Sequence, residues 1–543
     1  MNGDAIPVLI AGGGPIGLAL AADLGRRGIR TLLVEKGPDR VGTAKMLEVS
    51  VRTMELCRQL GIANDVRNWG FPLDHQLDSV FVTTMQGWEL GRVITPSLAA
   101  QLALPVSPER GVPCPQTSFD PILQRKARSF NNVTLRYETG LVDFVQDEDG
   151  VTATLADERT GEREQIRALY LVGCDGFQST VRSTLGIVVR GNPHIDWSMT
   201  IYVRIPQFAA LHDKAQAFRY VFVGPEGTWS FLTAVDGRDL FRLQLVGLDE
   251  ARLSATDIPA LMRRAMGREV PYSIEEKSLW VRKRTVADRF ADGRVFLAGD
   301  AAHAHPPNGG LGMNTGIQDS FDLGWKIAAV LDGWGDPALL ESYDWERRPA
   351  AARATQMSLD NYYRLTSAAP EPAIESPGPD GDAVRNATGA RLVAENEKSW
   401  HPIGIHLGCV YQPSPIVVPD DTPVPADDTI DYVPTTIPGA RAPHCWLEPG
   451  RSTLDLFGEG FVLLDFTRTD TAPLEEAAAR RRVPLTVRRI DHREAARLYE
   501  RTLVLVRPDG HVAWRGDSLA DDPLSLVDRI RGAGSRIAAR RAS

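Results

Sequence analysis

The sequence has few cysteines, and no two of them are near neighbours. The five are Cys57, Cys114, Cys174, Cys409 and Cys445. Because they form no CxxC pair, neither a zinc site built on neighbouring thiols nor a dithiol redox centre is predicted. We expect free thiols in a reducing compartment.

A surplus of positive charge is also lacking. The chain has 61 Lys and Arg against 70 Asp and Glu, a formal net charge of −9, and no long basic run. A protein that binds nucleic-acid backbones needs basic surface, so nucleic acid is excluded as a partner. The first apolar run, Ile6–Ala11, meets a glycine turn at once and is too short for a signal-peptide core or a membrane span. We therefore expect a cytoplasmic protein without a membrane span.

What is present is the composition of a folded protein of more than one domain. Of the 543 residues, 43% are hydrophobic and 24% are charged, which is typical of globular proteins. A single core stops growing near ~250–300 residues. The sequence therefore predicts two or three domains.

A glycine-rich turn near the N-terminus predicts a dinucleotide site. The strand Ala5–Ile10 leads into a turn with Gly12, Gly14, Pro15 and Gly17, after which apolar residues recur at helical spacing. In such a unit the glycines allow a tight turn, approach to a pyrophosphate and close helix packing, and the helix N-terminus attracts the anion.

A second strand supports the same interpretation. Thr31–Val34 is followed by Glu35 and Lys36, and Glu35 lies 18 residues beyond Gly17. An acid at this distance binds a ribose hydroxyl. Alone, this pattern does not distinguish FAD from NAD(P).

Two later segments favour FAD. Leu169–Cys174 ends on Asp175-Gly176, and a second apolar strand delivers Asp300, followed by the glycine-dense loop Pro306–Gly316. The carboxylate of Asp300 can accept hydrogen bonds from ribitol or ribose hydroxyls. The positive end of the helix that follows would face the flavin pyrimidine and stabilise reduced flavin.

These three motifs, in this order over most of residues 1–350, resemble the class A flavoprotein aromatic hydroxylases. That family includes para-hydroxybenzoate hydroxylase, phenol hydroxylase and 2,4-dichlorophenol hydroxylase. The resemblance implies an α/β fold with a Rossmann-like FAD-binding domain, an antiparallel-sheet substrate domain of α+β type and a thioredoxin-like C-terminal domain. It also implies FAD as cofactor, NADPH or NADH as electron donor, and a homodimer, which is common among relatives.

The implied reaction is hydroxylation of a phenolic or other electron-rich aromatic substrate by O2 through a flavin C4a-hydroperoxide. The motifs and the resemblance together assign to FAD the residues Gly12, Gly14, Pro15, Gly17, Glu35, Lys36, Lys45, Gln116, Asp175, Asp300, Pro307, Gly310, Gly312, Met313 and Asn314. Pro307 would also line the space of the reacting oxygen. Lys45 stands where many relatives have an arginine, so a compact ammonium charge takes the place of a forked guanidinium group.

A second departure concerns the substrate. Several relatives have a His or Asp near the substrate hydroxyl, where this chain has Leu47 with Glu48 beside it. Leucine cannot take the proton of a phenol. Either another residue serves as base, or the substrate needs no deprotonation.

The middle of the chain predicts an antiparallel sheet that forms a substrate wall. Short strands alternate between 186 and 280, and we expect a subset of their larger side chains to face a pocket: Tyr202, Arg204, Tyr220, Phe222, Trp229, Phe231 and Arg242. His194 and Tyr220 are the candidates for catalytic contact with the substrate hydroxyl. His303 and His305 flank the glycine loop, but no third ligand is evident, so no metal is predicted.

The predicted domains are an FAD-binding domain over 1–185 and 281–365, with 73–105 contributing to the substrate region, and a substrate-binding sheet over 186–280. A linker over 366–394, rich in Pro, Glu, Gly and Ser at its start, and a C-terminal domain over 395–543 follow. The C-terminal domain has no CxxC, which favours a structural or subunit-contact role.

Two alternatives stay open. Baeyer–Villiger-type oxygenation or epoxidation of a hydrophobic natural product would use the same scaffold and is made more plausible by Leu47. A non-oxygenating flavoprotein, such as a halogenase, is less favoured, because the only stretch similar to WxWxIP is Trp229-Ser230-Phe231. A pocket group able to deprotonate a phenol would favour the hydroxylase.

Overall fold

The structure of the protein is a computed structural model that describes residues 5–39, 42, 45–249, 251, 256–366, 369–400 and 402–534. Its described elements are arranged around three main sheets. None of the helices in these ranges is both long enough and apolar enough to cross a membrane.

The first unit is an eight-stranded sheet with a parallel centre. Its strands are Ala291–Asp292, Val295–Leu297, Arg163–Gly173, Ile6–Ala11, Thr31–Val34 and Val133–Arg136 in spatial order, with Thr139–Gln146 and Val151–Asp157 continuing from Arg163–Gly173. Ile6–Ala11 lies between two parallel neighbours and is buried along most of its length. A strand covered on both faces requires a continuous apolar run, which is what the sequence has there.

Helices cover this sheet, and two of them begin at the cavity described below. Pro15–Arg26 and Leu311–Leu331 share one apolar core with the strands. The other helices of this unit are Val51–Gln59, Ala63–Arg67, Gln116–Arg128, Thr180–Thr184 and Ser342–Thr366. Both nucleotide-type turns predicted from the sequence are thus followed by a helix.

The second unit is a seven-stranded sheet from the middle of the chain. Its strands, in spatial order, are Ser273–Val281, Trp197–Arg204, Leu240–Leu248, Gly227–Ala234, Arg219–Gly224, Ser79–Val82 and Glu89–Val93. The last two come from the 73–105 segment. Side chains alternate between two faces, and the helix Ile258–Met266 covers the face that carries Tyr220 and Phe222.

Two smaller sheets connect these units. One contains Val189–Asn192, Arg284–Ala287 and His303–Ala304, and the other pairs Glu48–Val49 with Val112–Pro113. The second pair holds Glu48 beside the glycine loop.

The predicted linker 366–394 differs from the structure in its second half, where the helix Pro379–Trp400 begins. This helix packs closely on the strand Glu89–Val93, because a side chain on Gly389 would meet the carbonyl oxygen of Leu90 at 1.8 Å. Leu392 is fully buried at this contact region. A short helix, Ile403–Leu407, follows.

The C-terminal unit is thioredoxin-like. Its four-stranded sheet has the order Leu485–Arg489, Phe461–Asp465, Leu503–Val506 and Val512–Gly516, and its helices are Ala472–Arg480, Arg493–Tyr499 and Pro523–Ile530. A small hairpin, Trp446–Glu448 with Arg451–Ser452, precedes it. Phe461 packs against Trp325 and Trp334, so this unit shares a core with the first unit.

Candidate active site

A continuous cavity of about 1090 Å³ is bounded by both large sheets. Single-ligand pockets commonly occupy about 300–1000 Å³. The cavity is therefore slightly larger than the usual single-ligand pocket. One end is lined by the nucleotide-type turns and the other by the seven-stranded sheet.

The structure brings the predicted FAD residues together at one end. The lining includes Gly12, Gly14, Pro15, Glu35, Lys36, Lys45, Gln116, Asp175, Asp300, Pro307, Gly310, Gly312, Met313 and Asn314. Gly17 lies behind them. A side chain on Gly17 would meet the carbonyl oxygen of Gly12 at 2.0 Å, so this glycine allows the helix to pack closely, as its place in the motif predicts.

Backbone amides fix the Glu35 carboxylate at the cavity wall. Oε2 accepts from the N–H of Gly13 at 2.6 Å, and Oε1 accepts from the N–H of Gly37 at 2.7 Å. An ionised carboxylate has further lone pairs on both oxygens. These can accept from ribose hydroxyls, as the spacing to Gly17 predicts.

Three observations show that this end fits FAD. A β-carbon added at Gly14 would meet nothing within 4 Å and would enter the cavity, so the bare backbone leaves room for a pyrophosphate. Asp175 Oδ1 is buried without a hydrogen-bond partner among the described residues. Asp300 is exposed to the cavity, and desolvation by the surrounding cavity walls raises the pKa of its carboxyl group. Sugar or ribitol hydroxyls would supply the missing donors.

The glycine loop is fixed to its neighbours by Asn314. Asn314 Oδ1 accepts from the N–H of Ser50 at 2.9 Å, while Nδ2 donates to the carbonyls of Gly310 at 2.7 Å and Glu48 at 3.2 Å. Gly310 has φ +62° and precedes the helix Leu311–Leu331. These hydrogen bonds therefore fix the positions of the loop, the positive helix end and the Glu48 segment relative to one another.

Behind the loop, the Asp319 carboxylate accepts three hydrogen bonds. It accepts from the N–H of Gly299 at 3.0 Å, from His303 Nε2 at 2.7 Å and from Arg347 Nε at 2.8 Å. Burial opposes its ionisation, but the charges of His303 and Arg347 lower the pKa of Asp319 overall. His303 Nδ1 contacts His305 Nε2 at 3.1 Å. Among the described residues, no group of His, Cys, Asp and Glu is arranged to hold a metal ion.

Asp120 lies behind the cavity lining as the partner of Gln116, and the sequence analysis did not single it out. Gln116 Oε1 accepts from the N–H of Lys45 at 3.1 Å, and Gln116 Nε2 donates to Asp120 Oδ2 at 2.9 Å. Asp120 is buried, and this burial raises the pKa of its carboxyl group to about 7. Its spacing of four residues from Gln116 on one helix was the available signal.

The other end of the cavity is formed by the sheet and by the segment that follows it. Its lining includes Leu47, Glu48, Leu77, Ser79, Arg110, Phe218, Arg219, Phe231, Thr233, Arg242 and Gln244. Asn361, Asn396, Ile403 and His406 add side chains from the later helices. Burial lowers the pKa of His406 to about 4, so its imidazole is neutral near pH 7.

The predicted substrate contacts His194 and Tyr220 do not reach this cavity. His194 is exposed and packs its ring edge-on to Trp197. Tyr220 is buried on the opposite face of its strand, because Arg219 next to it points into the cavity and side chains alternate. Of the large strand residues expected to supply a pocket, Phe231 and Arg242 are the two that line it.

Glu48 is the cavity-lining carboxylate nearest to the predicted base position. Its Oε2 lies 3.5 Å from Arg219 Nη2 and 3.9 Å from where a β-carbon on Gly310 would stand. It therefore lies between the glycine loop and the sheet. His305 also lines the cavity, but both of its ring nitrogens contact protein groups, His303 and Ser358.

Family models match two parts of the chain. Residues 5–358 match the model described as an FAD binding domain, and residues 435–534 match the C-terminal model of aromatic-ring hydroxylases. The first range contains both large sheets, and the second contains the thioredoxin-like sheet.

Known proteins are similar over nearly the whole length. Tetracenomycin B2 monooxygenase-dioxygenase of Streptomyces olivaceus is 32% identical, covering 97% of this chain and 98% of that protein. 2,4-Dichlorophenol 6-monooxygenase of Cupriavidus pinatubonensis is 31% identical over 97% and 96%. RebC, a rebeccamycin biosynthetic enzyme solved with reduced flavin, is 39% identical, with a TM-score of 0.91 over 98% of this chain and 99% of that one.

Proposed function

This chain belongs to the FAD-dependent aromatic-ring hydroxylases, and we propose that it hydroxylates a phenolic compound of more than one ring. Family membership makes it a flavin-dependent monooxygenase. The observation that carries the proposal is the cavity of about 1090 Å³, which continues past the FAD residues to an aromatic and polar wall. A one-ring phenol would leave much of that end to water.

When bound, FAD supplies hydride acceptance from NAD(P)H and activation of O2 for transfer of one oxygen atom to the ring. The chain holds it through Glu35, Asp175 and Asp300 and through the backbone around Gly14. The positive helix end at Leu311 would stabilise negative charge on the bound flavin. Phe231 and Leu47 are both buried and keep water from the substrate end, which protects the reaction from loss of oxygen as peroxide.

Glu48 is the group that we assign to the substrate hydroxyl. In this role its Oε2 accepts the phenol proton, which makes the ring more electron-rich and more reactive. Arg219, at 3.5 Å, orients the carboxylate, and Asn314 fixes the backbone that carries it. Glu48 can therefore accept the phenol proton, which Leu47 cannot. Its presence favours hydroxylation over oxygenation reactions that need no base.

We place the reaction in a reducing compartment such as the cytoplasm, with NADPH or NADH as donor. All five cysteines are free thiols in the structure, and the two partly exposed ones would be at risk of oxidation elsewhere. The similarity to other flavin monooxygenases supports a pyridine nucleotide as the donor.

The test is oxidation of NADPH and NADH by the FAD-loaded protein with phenol, 2-naphthol and hydroxyanthraquinones, scored for product and for H2O2. The proposal expects multi-ring phenols to accelerate oxidation with little peroxide. If every compound gives only peroxide, or if phenol is the best substrate, the assigned substrate class is wrong.

A further inference from the structure

A continuous chain of hydrogen bonds runs from the cavity into the core behind the glycine loop. His305 is half-buried and lines the cavity, and a β-carbon on Gly312 would stand 3.6 Å from the β-carbon of His305. His305 Nε2 lies 3.1 Å from His303 Nδ1, and His303 Nε2 lies 2.7 Å from Asp319 Oδ2. On its other side, His305 Nδ1 lies 3.3 Å from the Ser358 hydroxyl. The chain thus connects the cavity with a fully buried carboxylate.

The Asp319 carboxylate fixes the direction of every hydrogen bond in this chain. Although burial opposes ionisation, His303 and Arg347 lower the pKa of Asp319, so His303 donates to an ionised carboxylate from Nε2. A neutral imidazole has one donor and one acceptor. His303 Nδ1 therefore accepts from His305 Nε2, and His305 Nδ1 accepts from the Ser358 hydroxyl. All of the donors point toward Asp319.

The same chain can hold one additional proton without losing a hydrogen bond. A proton that arrives at His305 Nδ1 lets the Nε2 proton of His305 pass to His303 Nδ1, so that His303 becomes an imidazolium. His303 then donates to both Asp319 and His305, and His305 donates to the Ser358 oxygen, which can accept. Because a buried cation needs an anionic partner, the proton is best placed on His303, 2.7 Å from Asp319.

The charges around the two imidazoles balance before any charge is added in the cavity. Burial and the charge of His303 lower the pKa of His305 well below its ordinary value. Among the described residues, the charged and titratable groups that act on the chain are Asp300, Asp319, Arg284, Arg347, Tyr343 and Cys174. Burial raises the pKa of the last two, so they are neutral. The two arginines offset the two acids, and a new negative charge in the cavity would favour uptake of a proton.

We propose that His303 takes up a proton from solvent, through His305, when the bound FAD is reduced. NAD(P)H transfers a hydride, which carries two electrons and one proton, so the flavin gains one negative charge. The proton that binds His303 comes from water at the cavity and offsets this charge, and it returns to water when the flavin is reoxidised. His303 contacts no substrate in this role, so the inference holds for any substrate class.

The test is the pH dependence of the midpoint potential of the protein-bound FAD, measured by anaerobic equilibration with a reference dye across about pH 6–8, where histidine titrates. Reduction of flavin to its anionic form binds one proton per two electrons. The parent should bind two, so its potential should fall about twice as steeply with pH. His303→Asn cannot carry the second proton and should bind one. His194→Asn is the matched control, because His194 is exposed and lies away from the cavity, and it should bind two.

A second measurement keeps the test valid if His303→Asn does not fold. In the FAD-loaded parent labelled with carbon-13 at histidine Cε1, one NMR signal should change from the neutral to the protonated position on reduction. His305→Gln retains His303 but interrupts the path. It should still bind two protons at equilibrium, while an indicator dye reports slower proton uptake after mixing with NADPH.

Three outcomes would count against this role. If His303→Asn still binds two protons, the second one resides on the flavin or on Asp300, and the proposal is overturned. Histidine signals that do not change on reduction would overturn it as well. Proton uptake in His305→Gln as fast as in the parent would rule out the path through His305.

Discussion

Arg507 Nη1 lies 2.6 Å from Glu346 Oε1, and this contact joins the C-terminal sheet to the helix Ser342–Thr366. Lys326 Nζ lies 2.6 Å from the other oxygen of Glu346. All three side chains are fully buried. Burial opposes ionisation of Glu346, but Arg507 and Lys326 lower its pKa to about 2. The C-terminal unit is therefore attached through charges that have no access to water.

Removing one member of this group should separate the two units. Arg507→Gln leaves Glu346 and Asp509 with less positive charge in a buried place, and breaking a buried pair costs roughly 3–5 kcal/mol. We expect a lower midpoint of thermal or urea unfolding and easier proteolysis between the units. Arg488→Gln, at an exposed position of the same sheet, should change stability by less than about 0.5 kcal/mol. Equal stability of the two variants would show that the buried contact does not hold the units together.

A methyl group at Gly14 should weaken FAD binding and leave the stability of the apoprotein unchanged. Gly14 has φ −74° and ψ −177°, which any residue adopts, and an added β-carbon would enter the cavity. Gly14→Ala should therefore leave the apoprotein as stable as the parent while weakening FAD binding by more than about tenfold, or 1.4 kcal/mol. Fluorescence titration of apoprotein with FAD measures this. Gly534→Ala, near the end of the described chain, is the control. Unchanged FAD affinity in Gly14→Ala would place the pyrophosphate elsewhere.

The raised pKa of Asp120 predicts that this residue makes the stability of the fold depend on pH. Its pKa is about 7 in the folded protein, against an ordinary value of 3.8. Between these values the folded state binds more protons than the unfolded state, so Asp120 makes the fold less stable as pH rises from about 4 to 7. The asparagine in Asp120→Asn does not titrate and can still accept from Gln116. Relative to the parent, this variant should gain stability across that window, by roughly 2–4 kcal/mol at pH 7 and above.

Urea unfolding of the apoproteins between pH 4.5 and 8 measures this gain. Asp149→Asn, at an exposed turn, is the control and should show no growing difference. If Asp120→Asn and the parent change in parallel with pH, then Asp120 is ionised throughout and is not held in the buried environment described.

Glu48→Gln should separate binding from turnover. Loss of the proton acceptor should lower kcat for a phenolic substrate by roughly 10²-fold, within the range for general bases. The same change leaves the contacts of the ring with the cavity wall in place, so the affinity for the substrate should change by much less than kcat. Steady-state kinetics and flavin difference spectra give the two values separately.

The pH profile of Glu48→Gln distinguishes the assigned role from a structural one. Turnover should recover as pH approaches the phenol's own ionisation near pH 10, because solvent then supplies the phenolate. A variant that is equally slow at every pH would show that Glu48 only orients Arg219. FAD content and the unfolding midpoint, expected to match the parent, are the controls.

The cofactor end was accessible to sequence analysis because its chemistry depends on local patterns. Gly12, Gly14 and Glu35 act through a turn and one adjacent strand, so their spacing along the chain is fixed by the fold. The substrate end depends on register between strands far apart in sequence. Tyr220 was chosen over Arg219 because residue type cannot tell which of two neighbouring strand residues faces a pocket.

Two other features had little local signal beyond the four-residue spacing of Gln116 and Asp120. Asn396 and His406 line the cavity only because the helix Pro379–Trp400 docks on a distant strand, whereas the composition before it indicated a linker. Asp120 is buried and functional in appearance, yet its sequence context is that of an ordinary amphipathic helix. Long-range packing decides both, and single-sequence patterns do not contain it.

The alternation of Arg219 and Tyr220 between the two faces of their strand has a consequence for how this protein can change by mutation. A one-residue deletion before the strand Arg219–Gly224 would shift its register and turn the phenol of Tyr220 toward the cavity in place of a guanidinium. A single indel could thus exchange a cationic side chain of the cavity wall for a phenol, with every cofactor residue untouched. Insertions and deletions around this sheet, more than point substitutions at the flavin, are where substrate range in such a scaffold can diversify abruptly.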